Sequence, residues 1–448
     1  MSREVKDSLG KVLIEDNKLW GPVTQRSYNN FKIGQNKMPI EVIKAITLIK
    51  KNAALVNNEL GLLSDLKTKK IIEATDKVIS GKYNDQFPLS IYQTGSGTQS
   101  NMNVNEVIAN LAQNGIHPND DVNMGQSSND VFPTAIHLAA LQATYSKLLF
   151  ELSDLIDAFY DLENEFKDII KIGRTHLQDA TPLTLGQEFS GYRSMLEANF
   201  KMIANSLKGL YPLAIGGTAV GTGLNTHPDF GKLMAEKLAL ASNFPLTSAN
   251  NKFHALTSRD HLLNSHSCLK NLATNLMKIA NDIRLLASGP NCGIKEISIP
   301  ANEPGSSIMP GKVNPTQAEA ITMVCVRVMA NDTALTIANS QGNFELNVYM
   351  PLMISSYLES VNLLSDSIKS FKNNCVIGIR ANEDNISENL KNSLMLVTCL
   401  NPYIGYEKSA EIAKYAHKTN KTLKEAAVEL KILSSEEFDK LFDISAMI

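Results

Sequence analysis

The 448-residue chain has no excess of either charge. Its 43 Lys and Arg face 46 Asp and Glu, for a formal net charge of −3. Nucleic-acid binding needs Lys and Arg in excess on one face, so nucleic acid is excluded as the main partner. No apolar run approaches the roughly 20 residues that cross a bilayer, so no membrane segment is expected. Cysteine is scarce: Cys268, Cys292, Cys325, Cys375 and Cys399, with no two closer than 24 positions. That spacing excludes CxxC pairs and zinc-finger arrangements. An odd number of scattered, apolar-flanked thiols fits a reducing compartment. The amino terminus, MSREVKDSLG, is charged from its third residue. It has neither the apolar stretch of a secretory signal nor the Arg-rich, acid-poor character of a transit peptide, so the expected location is the cytoplasm. There is no internal repeat and no low-complexity segment.

What the chain does have is an ordinary globular composition, 43% hydrophobic and 20% charged. A chain this long can bury a large core, which excludes disorder as its main character and suggests two to four domains. Sixteen prolines punctuate it, and long stretches such as 134–181, 246–289, 316–350 and 352–401 contain none. An interior proline costs a helix about 3 kcal/mol, so long helices are expected there. In the first, Leu138, Leu141, Tyr145, Leu148, Leu152, Leu155, Phe159, Leu162 and Phe166 recur at steps of three and four, forming one stripe. The second, Leu262 to Leu286, reads as a helix buried on more than one side. Further helices are expected from Glu319 to about Ala338 and from Leu352 to Phe371. No alternation of strands and helices signals a parallel sheet. The expected class is all-α, an elongated bundle of long helices. A more broken segment, 1–126, precedes the long helices of 127–384. Short helices at 386–398, 407–416, 422–430 and 435–441 suggest a small terminal domain, 385–448.

Four polar stretches interrupt the apolar rhythm: QTGSGTQSNMNVNE (93–106), HPNDDVNMGQSSND (117–130), GRTHLQDATP (173–182) and GSSIMPGKVNP (305–315). They hold more Asn, Ser, Thr and Gln than solvation requires, and these side chains offer directional donors and acceptors for an anion. In the last stretch, Gly305 and Gly311 allow mobility while Pro310 and Pro315 limit it. Lys312 supplies a positive charge, Asn314 an amide donor, and Ser306 and Ser307 hydroxyls with exposed N–H groups. Together they suit a carboxylate and the charge that develops on it. A P-loop is disfavoured because five residues separate the two glycines and Val313 stands where a metal-binding hydroxyl is required. GGTAVGTG (216–223) does not match G-x-G-x-x-G and reads as a turn between helices. His176, flanked by Arg174, Thr175, Gln178 and Asp179, is a candidate acid or base. His254, His261 and His266 lack the i,i+4 spacing of a ligand pair and read as structural.

GSSIMPGKVNP at 305–315 resembles the signature of the fumarase/aspartase superfamily, and the chain is most similar to its class II fumarases. The resemblance also covers DNKLWGPVTQRSYNNF (16–31), the other polar stretches, TAVGTGLNTHPDF (218–230), GNFELNV (342–348) and SLMLVTCLNPYIGY (393–406). Aspartate ammonia-lyases share the fold and much of the signature, but typically carry glutamine at the position of His176 and alanine at that of Gly311. Gln99 and QSSNDVFPT (126–134) also look like fumarase. Aspartate ammonia-lyase is the alternative reading.

The resemblance implies a three-domain, all-α fold whose central five-helix bundle joins three copies in a twenty-helix homotetramer core. It implies reversible hydration of fumarate to (S)-malate in the tricarboxylic acid cycle, with loops from three subunits at each site and neither metal nor organic cofactor. In this chain Ser306 would take the C3 proton of malate, aided by Lys312. His176, partnered by Glu319, would handle the proton of water. Ser96, Gly97, Thr98, Ser127, Ser128, Asn129, Thr175, Ser307, Lys312, Val313 and Asn314 would bind substrate. His117, Pro118, Asn119 and Asp120 would form a second dicarboxylate site. The basic residue that helps form that second site in the family has no evident counterpart here.

Overall fold

In the computed structural model, which describes Ser2–Ile448, the chain is 63% helical with 17 α-helices, and its only sheets are four two-stranded ones among the described residues. The all-α expectation holds. Two compact units form. The first comprises the chain up to Glu151 with Asn199–Thr274 and Val324–Asp366. The second comprises Leu152–Ala198, Asn275–Met323 and Ser367–Ile448.

Four expected helices are present as Ser128–Ala143 continuing into Leu149–Glu165, Asp260–Leu286, Thr316–Asn339 and Met350–Asn374. The first begins ten residues before Leu138, with Pro133 inside it. The proline criterion placed its start too late. A capping box of Ser127 and Asp130 starts the helix upstream and sets its first turns before Pro133 is reached. A π-turn at Thr144–Leu148 then absorbs one residue, so the stripe continues with Leu148, Leu152, Leu155, Phe159, Leu162 and Phe166 all buried. The helices Ile40–Glu59, Asp65–Ile79 and Leu185–Ser206 were not expected, although 40–87 is also proline-free. The segment 1–126 is therefore less broken than its polar loops suggest. The terminal helices are Glu383–Asn392, a 3-10 turn Leu394–Leu400, Tyr406–Thr419, Leu423–Glu429 and Ser435–Leu441. They enclose Leu396, Leu400, Ile412, Ala416, Ala426, Ala427 and Phe438.

In the first unit, Val42, Ile46, Ile49 and Val56 belong to a core with Ile71, Val78, Val104, Val107, Ile108, Phe132 and Ile136. In the second, Phe159, Phe166, Phe189 and Tyr192 pack edge-on or tilted at centroid distances of 5.5–6.1 Å.

The helix Thr316–Asn339 is long and apolar enough, by length and composition, to cross a membrane, with a mean hydropathy of 1.3 over its best window. It is not an uninterrupted apolar run, because Glu319, Arg327 and Asp332 break the sequence while the apolar residues between them keep the mean high. Asp332 is buried and pairs with Lys270 and His266, as a helix in a protein core does. Met323, Val326 and Ile337 on the same helix are exposed.

Lys50, wholly buried, donates to the side-chain oxygens of Asn123 (2.7 Å) and Gln126 (2.9 Å), which fixes the turn that leads into Ser127. Burial pushes its ammonium down to about 7, against the pull of the Asp130 charge. The unfolded chain therefore binds more protons between pH 7 and 10.5, and this group's contribution to stability rises with pH across that window. Lys50→Met removes the dependence. The melting temperature of the wild type should gain on that of the variant as pH is raised from 7 to 9, read by thermal unfolding at each pH.

Candidate active site

Two of the polar stretches build adjoining helix N-termini in the first unit. Gly97, at φ +73°, caps the helix Thr98–Ala112. A Cβ there would lie 2.2 Å from the Phe132 ring, so only glycine lets this turn meet the neighbouring helix. Asn101 in that first turn donates to the Ser128 hydroxyl at 2.9 Å. Ser96 and Thr98 hydroxyls share a 2.8 Å hydrogen bond, and Gln93 accepts from the N–H and hydroxyl of Ser100. Across from them Ser127 caps the helix Ser128–Ala143, and Asn129 donates to the Ala219 carbonyl at 2.9 Å. The structure thus brings Ser96, Gly97 and Thr98 together with Ser127, Ser128 and Asn129. Two helix N-termini carry partial positive charge, which suits an anion.

Buried Asp130 holds this arrangement. One oxygen accepts from the N–H of Ser127, and the other from those of Gly216 and Thr218, all at 2.9 Å. The glycine-rich stretch at 216–223 is a turn, as expected, and its N–H groups are what Asp130 holds. Asn347 plays a similar part. It is buried, donates to the carbonyls of Ala338 and Gln341, and accepts from Tyr349 N–H. The next backbone segment meets Gly95, where a Cβ would lie 1.4 Å from the Val348 carbonyl oxygen. Sequence reasoning assigned no role to Asp130, Asn347 or Gly95. The S-x-x-D spacing of Ser127 and Asp130 was the one signal available.

The remaining catalytic candidates lie in the second unit. Residues 173–182, expected as a loop, are most of a β-hairpin. Ile170–Thr175 pairs antiparallel with Gln178–Thr184, and a two-residue turn, His176–Leu177, joins them. Both turn residues have positive φ, +57° and +60°. Two-residue hairpins favour this geometry, but Asn and Gly usually supply it. In His and Leu it costs about 1–2 kcal/mol each. Thr175 and His176 are exposed at the tip.

Beneath the hairpin lies a buried charge cluster that sequence reasoning missed. Lys171 contacts Glu188 at 2.5 Å and Glu296 at 3.0 Å, and Arg174 contacts Glu296 at 2.8 Å. Neither Glu296 oxygen has an aligned hydrogen bond, so charge holds these contacts more than directional bonding does. Tyr192 bridges Glu188 and Asp282 at 3.1 Å each, and burial, with the charges of these two carboxylates, drives its hydroxyl pKa far up. Lys171, Arg174, Glu188, Tyr192, Lys278 and Asp282 line a cleft of about 540 Å³ beside the hairpin.

The Ser306 loop closes on itself. Gly305 N–H donates to the Lys312 carbonyl (2.9 Å), and the N–H groups of Ile308 (3.2 Å) and Met309 (3.0 Å) donate to Ser306 Oγ. The Asn314 amide donates to the Gly305 carbonyl at 2.6 Å. Asn314 was expected as a substrate donor, yet in this structure it ties the two ends of the loop together. Ser307, Lys312 and Val313 are exposed, and among the described residues the Lys312 ammonium has no ion-pair partner. The expected His176–Glu319 pair is not made within the chain. Among the described residues, neither the His176 ring nor the Glu319 carboxylate has a hydrogen-bond or ion-pair partner. Nor is the His176 ring bonded to the Ser306 hydroxyl. Glu319 lies exposed in the first turn of Thr316–Asn339.

His117 caps the short turn Pro118–Val122 in the first unit, with Nδ1 accepting from Asp120 N–H at 3.1 Å. Arg3 and Lys6 line the same cleft of about 490 Å³ as His117, Pro118 and Asn119. Arg3 is occupied by the carbonyls of Lys18 and Trp20. Among the described residues, no group of three or more His, Cys, Asp or Glu could hold a metal ion.

Residues 10–330 match the lyase family model, and residues 396–448 the fumarase C C-terminus model. The chain belongs to the class II fumarase family. It is 56% identical to fumarate hydratase class II of Bacillus cereus, over 99% of this chain and 98% of that one. The Helicobacter pylori enzyme of the same name is 57% identical over 97% and 96%. The crystal structure of class II fumarase from Schistosoma mansoni superposes with a TM-score of 0.98 at 43% identity, covering 100% of this chain and 99% of the other. These matches set the chain with the fumarases of its superfamily.

Asn314→Ala unties the Gly305 end of the loop. Losing one such bond costs about 1 kcal/mol. The variant should melt slightly below wild type and lose roughly fivefold in kcat/KM for fumarate, read by thermal unfolding and steady-state kinetics.

Proposed function

We propose that this chain is a fumarate hydratase that interconverts fumarate and (S)-malate by the residues assigned from sequence. In the malate direction, Ser306 takes the C3 proton. The electron pair of that C–H bond spreads into the adjacent carboxylate, giving an aci-carboxylate. The C2–O bond then breaks, and the hydroxide leaves as water on a proton from His176. The enzyme must favour the aci-carboxylate over bound substrate.

The observation that carries this reading is the pair of backbone N–H groups on Ser306 Oγ. A serine is a poor base unless its alkoxide is stabilised. Two fixed amide donors do that without reorganising during the reaction. The same loop brings Lys312, whose charge can meet the aci-carboxylate, and Ser307. The two adjoining helix N-termini at Thr98 and Ser128 supply the donors for the substrate's carboxylates. Thr175 would add a hydroxyl beside His176, with Val313 at the loop's apolar edge.

The substrate class is therefore the small dicarboxylate, and each site is complete only in a homotetramer, where Glu319 of one copy can meet His176 of another. Met323, Val326 and Ile337 give the helix Thr316–Asn339 an exposed apolar face for that assembly. We keep the functional division 1–126, 127–384 and 385–448, and a cytoplasmic location. His117, Pro118, Asn119 and Asp120 would form the second dicarboxylate site, in a cleft that Lys6 also lines.

Fumarate loss followed by absorbance in metal-free buffer tests the reaction. Malate should form without ammonium; aspartate formed only with ammonium would mean an ammonia-lyase. Ser306→Ala should lower kcat by at least about 100-fold. His176→Asn should also lower kcat, and a change confined to KM would make His176 a binding residue. In sedimentation, the protein should run near four times its 49.1 kDa chain mass, and a monomer retaining full activity would refute the shared site.

A further inference from the structure

We propose that Glu296 is a positioning residue for proton transfer. Through Lys171 and Arg174 it holds the strained His176–Leu177 turn in place and anchors the segment that enters the Ser306 loop. The proposal rests on the hydratase reading above.

Glu296 is fully buried, yet it lies outside every polar stretch that carries the chemistry. Its side chain touches two residues of the strand that ends at Thr175, Lys171 and Arg174. Its backbone is fixed as well: its N–H donates to the Leu286 carbonyl, and its carbonyl accepts from Asn382 N–H, both at 2.9 Å. The next residues, Ile297 and Ser298, pair with Ala381 and Arg380. Asn302 then donates to the Asn374 carbonyl at 2.9 Å, three residues before Gly305. One carboxylate therefore ties the base of the His176 hairpin to a segment pinned along its length up to the serine loop.

The turn needs such a tie. Left-handed backbone in His and Leu persists only where the surroundings over-determine it. Leu177 is 71% exposed, so its own packing does not fix it. The strands below supply the constraint, and their cationic residues are gathered on Glu296. Lys171 is shared with Glu188, so removing Glu296 leaves Lys171 one carboxylate partner and leaves Arg174 without its ion pair.

The test compares wild type, Glu296→Gln, Arg174→Lys and Glu296→Gln/Leu177→Gly as assembled proteins. Circular dichroism and melting temperature are measured beside steady-state kinetics on fumarate. Glu296→Gln should lower kcat at least tenfold with KM within twofold of wild type. Arg174→Lys keeps the charge and folds with less risk, and should lower kcat about threefold to tenfold with the same split. Leu177→Gly relieves strain at the turn, so the double variant should recover at least a third of the lost factor in kcat. A folded Glu296→Gln or Arg174→Lys protein with wild-type kcat overturns the proposal. So does a parallel loss in KM, or a double variant no better than Glu296→Gln. If wild type fails to hydrate fumarate, the hydratase reading falls. Amide hydrogen exchange at Thr175–Gln178 then decides the positioning role: faster exchange in Glu296→Gln supports it, and unchanged exchange overturns it.

Discussion

Backbone groups outside helices and sheets still need partners, and in this molecule buried side chains supply them. A helical scaffold offers its polar loops almost no sheet to pair with, so the loops must be held another way. Glu106 accepts from the N–H groups of Gly21, Val23 and Thr24, and from the Thr24 hydroxyl. Asp130 accepts from Ser127, Gly216 and Thr218. Burial raises the pKa of both carboxyls while these donors pull it down. Each side chain fixes segments that lie 80 or more residues away in sequence. Without them the loops would sample many conformations, and the helix N-termini would have no defined neighbours.

In the proposed mechanism the same device, turned outward, becomes chemistry. Inside the protein an oxygen satisfies several N–H groups and the loop is held. At Ser306 two N–H groups converge on one hydroxyl in a loop largely open to solvent. The donors are aligned before any proton moves, which is where preorganised sites gain over water. The two helix N-termini extend the principle, because their free N–H groups face an anion as readily as they face a cap. In the proposed reaction several oriented dipoles share the charge with the Lys312 ammonium.

How far the sequence reveals this depends on the kind of signal. The long helices were legible because burial repeats every three or four residues, as from Leu138 to Phe166. Their starts were less so: Ser128 lies upstream of Pro133, and the capping box outweighs a proline that was taken as a boundary. The helix Leu185–Ser206 lies in a shorter proline-free stretch, 183–211, which is a weaker signal. Ser306, His176 and Lys312 were visible as residue types in unusual company, and the motif resemblance gave them roles. The hairpin under His176 was hidden because GRTHLQDATP has no alternating apolar pattern, and Lys171 of its first strand is anchored by ion pairs to Glu188 and Glu296. Pairs distant in sequence leave no local trace. The Asn314 bond to the Gly305 carbonyl, nine residues back, is likewise not visible in the sequence.

The helix Thr316–Asn339 joins the two themes. It begins directly after Pro315, where the Ser306 loop ends, and carries Glu319 in its first turn. Further along, Ile321, Cys325, Val328, Leu335 and Ala338 are buried while Met323, Val326 and Ile337 are exposed. Apolar residues on both sides explain why its periodicity is weak and its hydropathy high. Exposed apolar residues on a helix invite cover by another surface. In the proposed tetramer the second face is covered by another copy, and the same contact would set the position of Glu319 relative to a neighbouring His176. On that proposal, a His176–Glu319 pair would form between copies and not within one chain. Association and proton transfer would depend on one rigid rod, and the site could be complete only when the apolar face is buried.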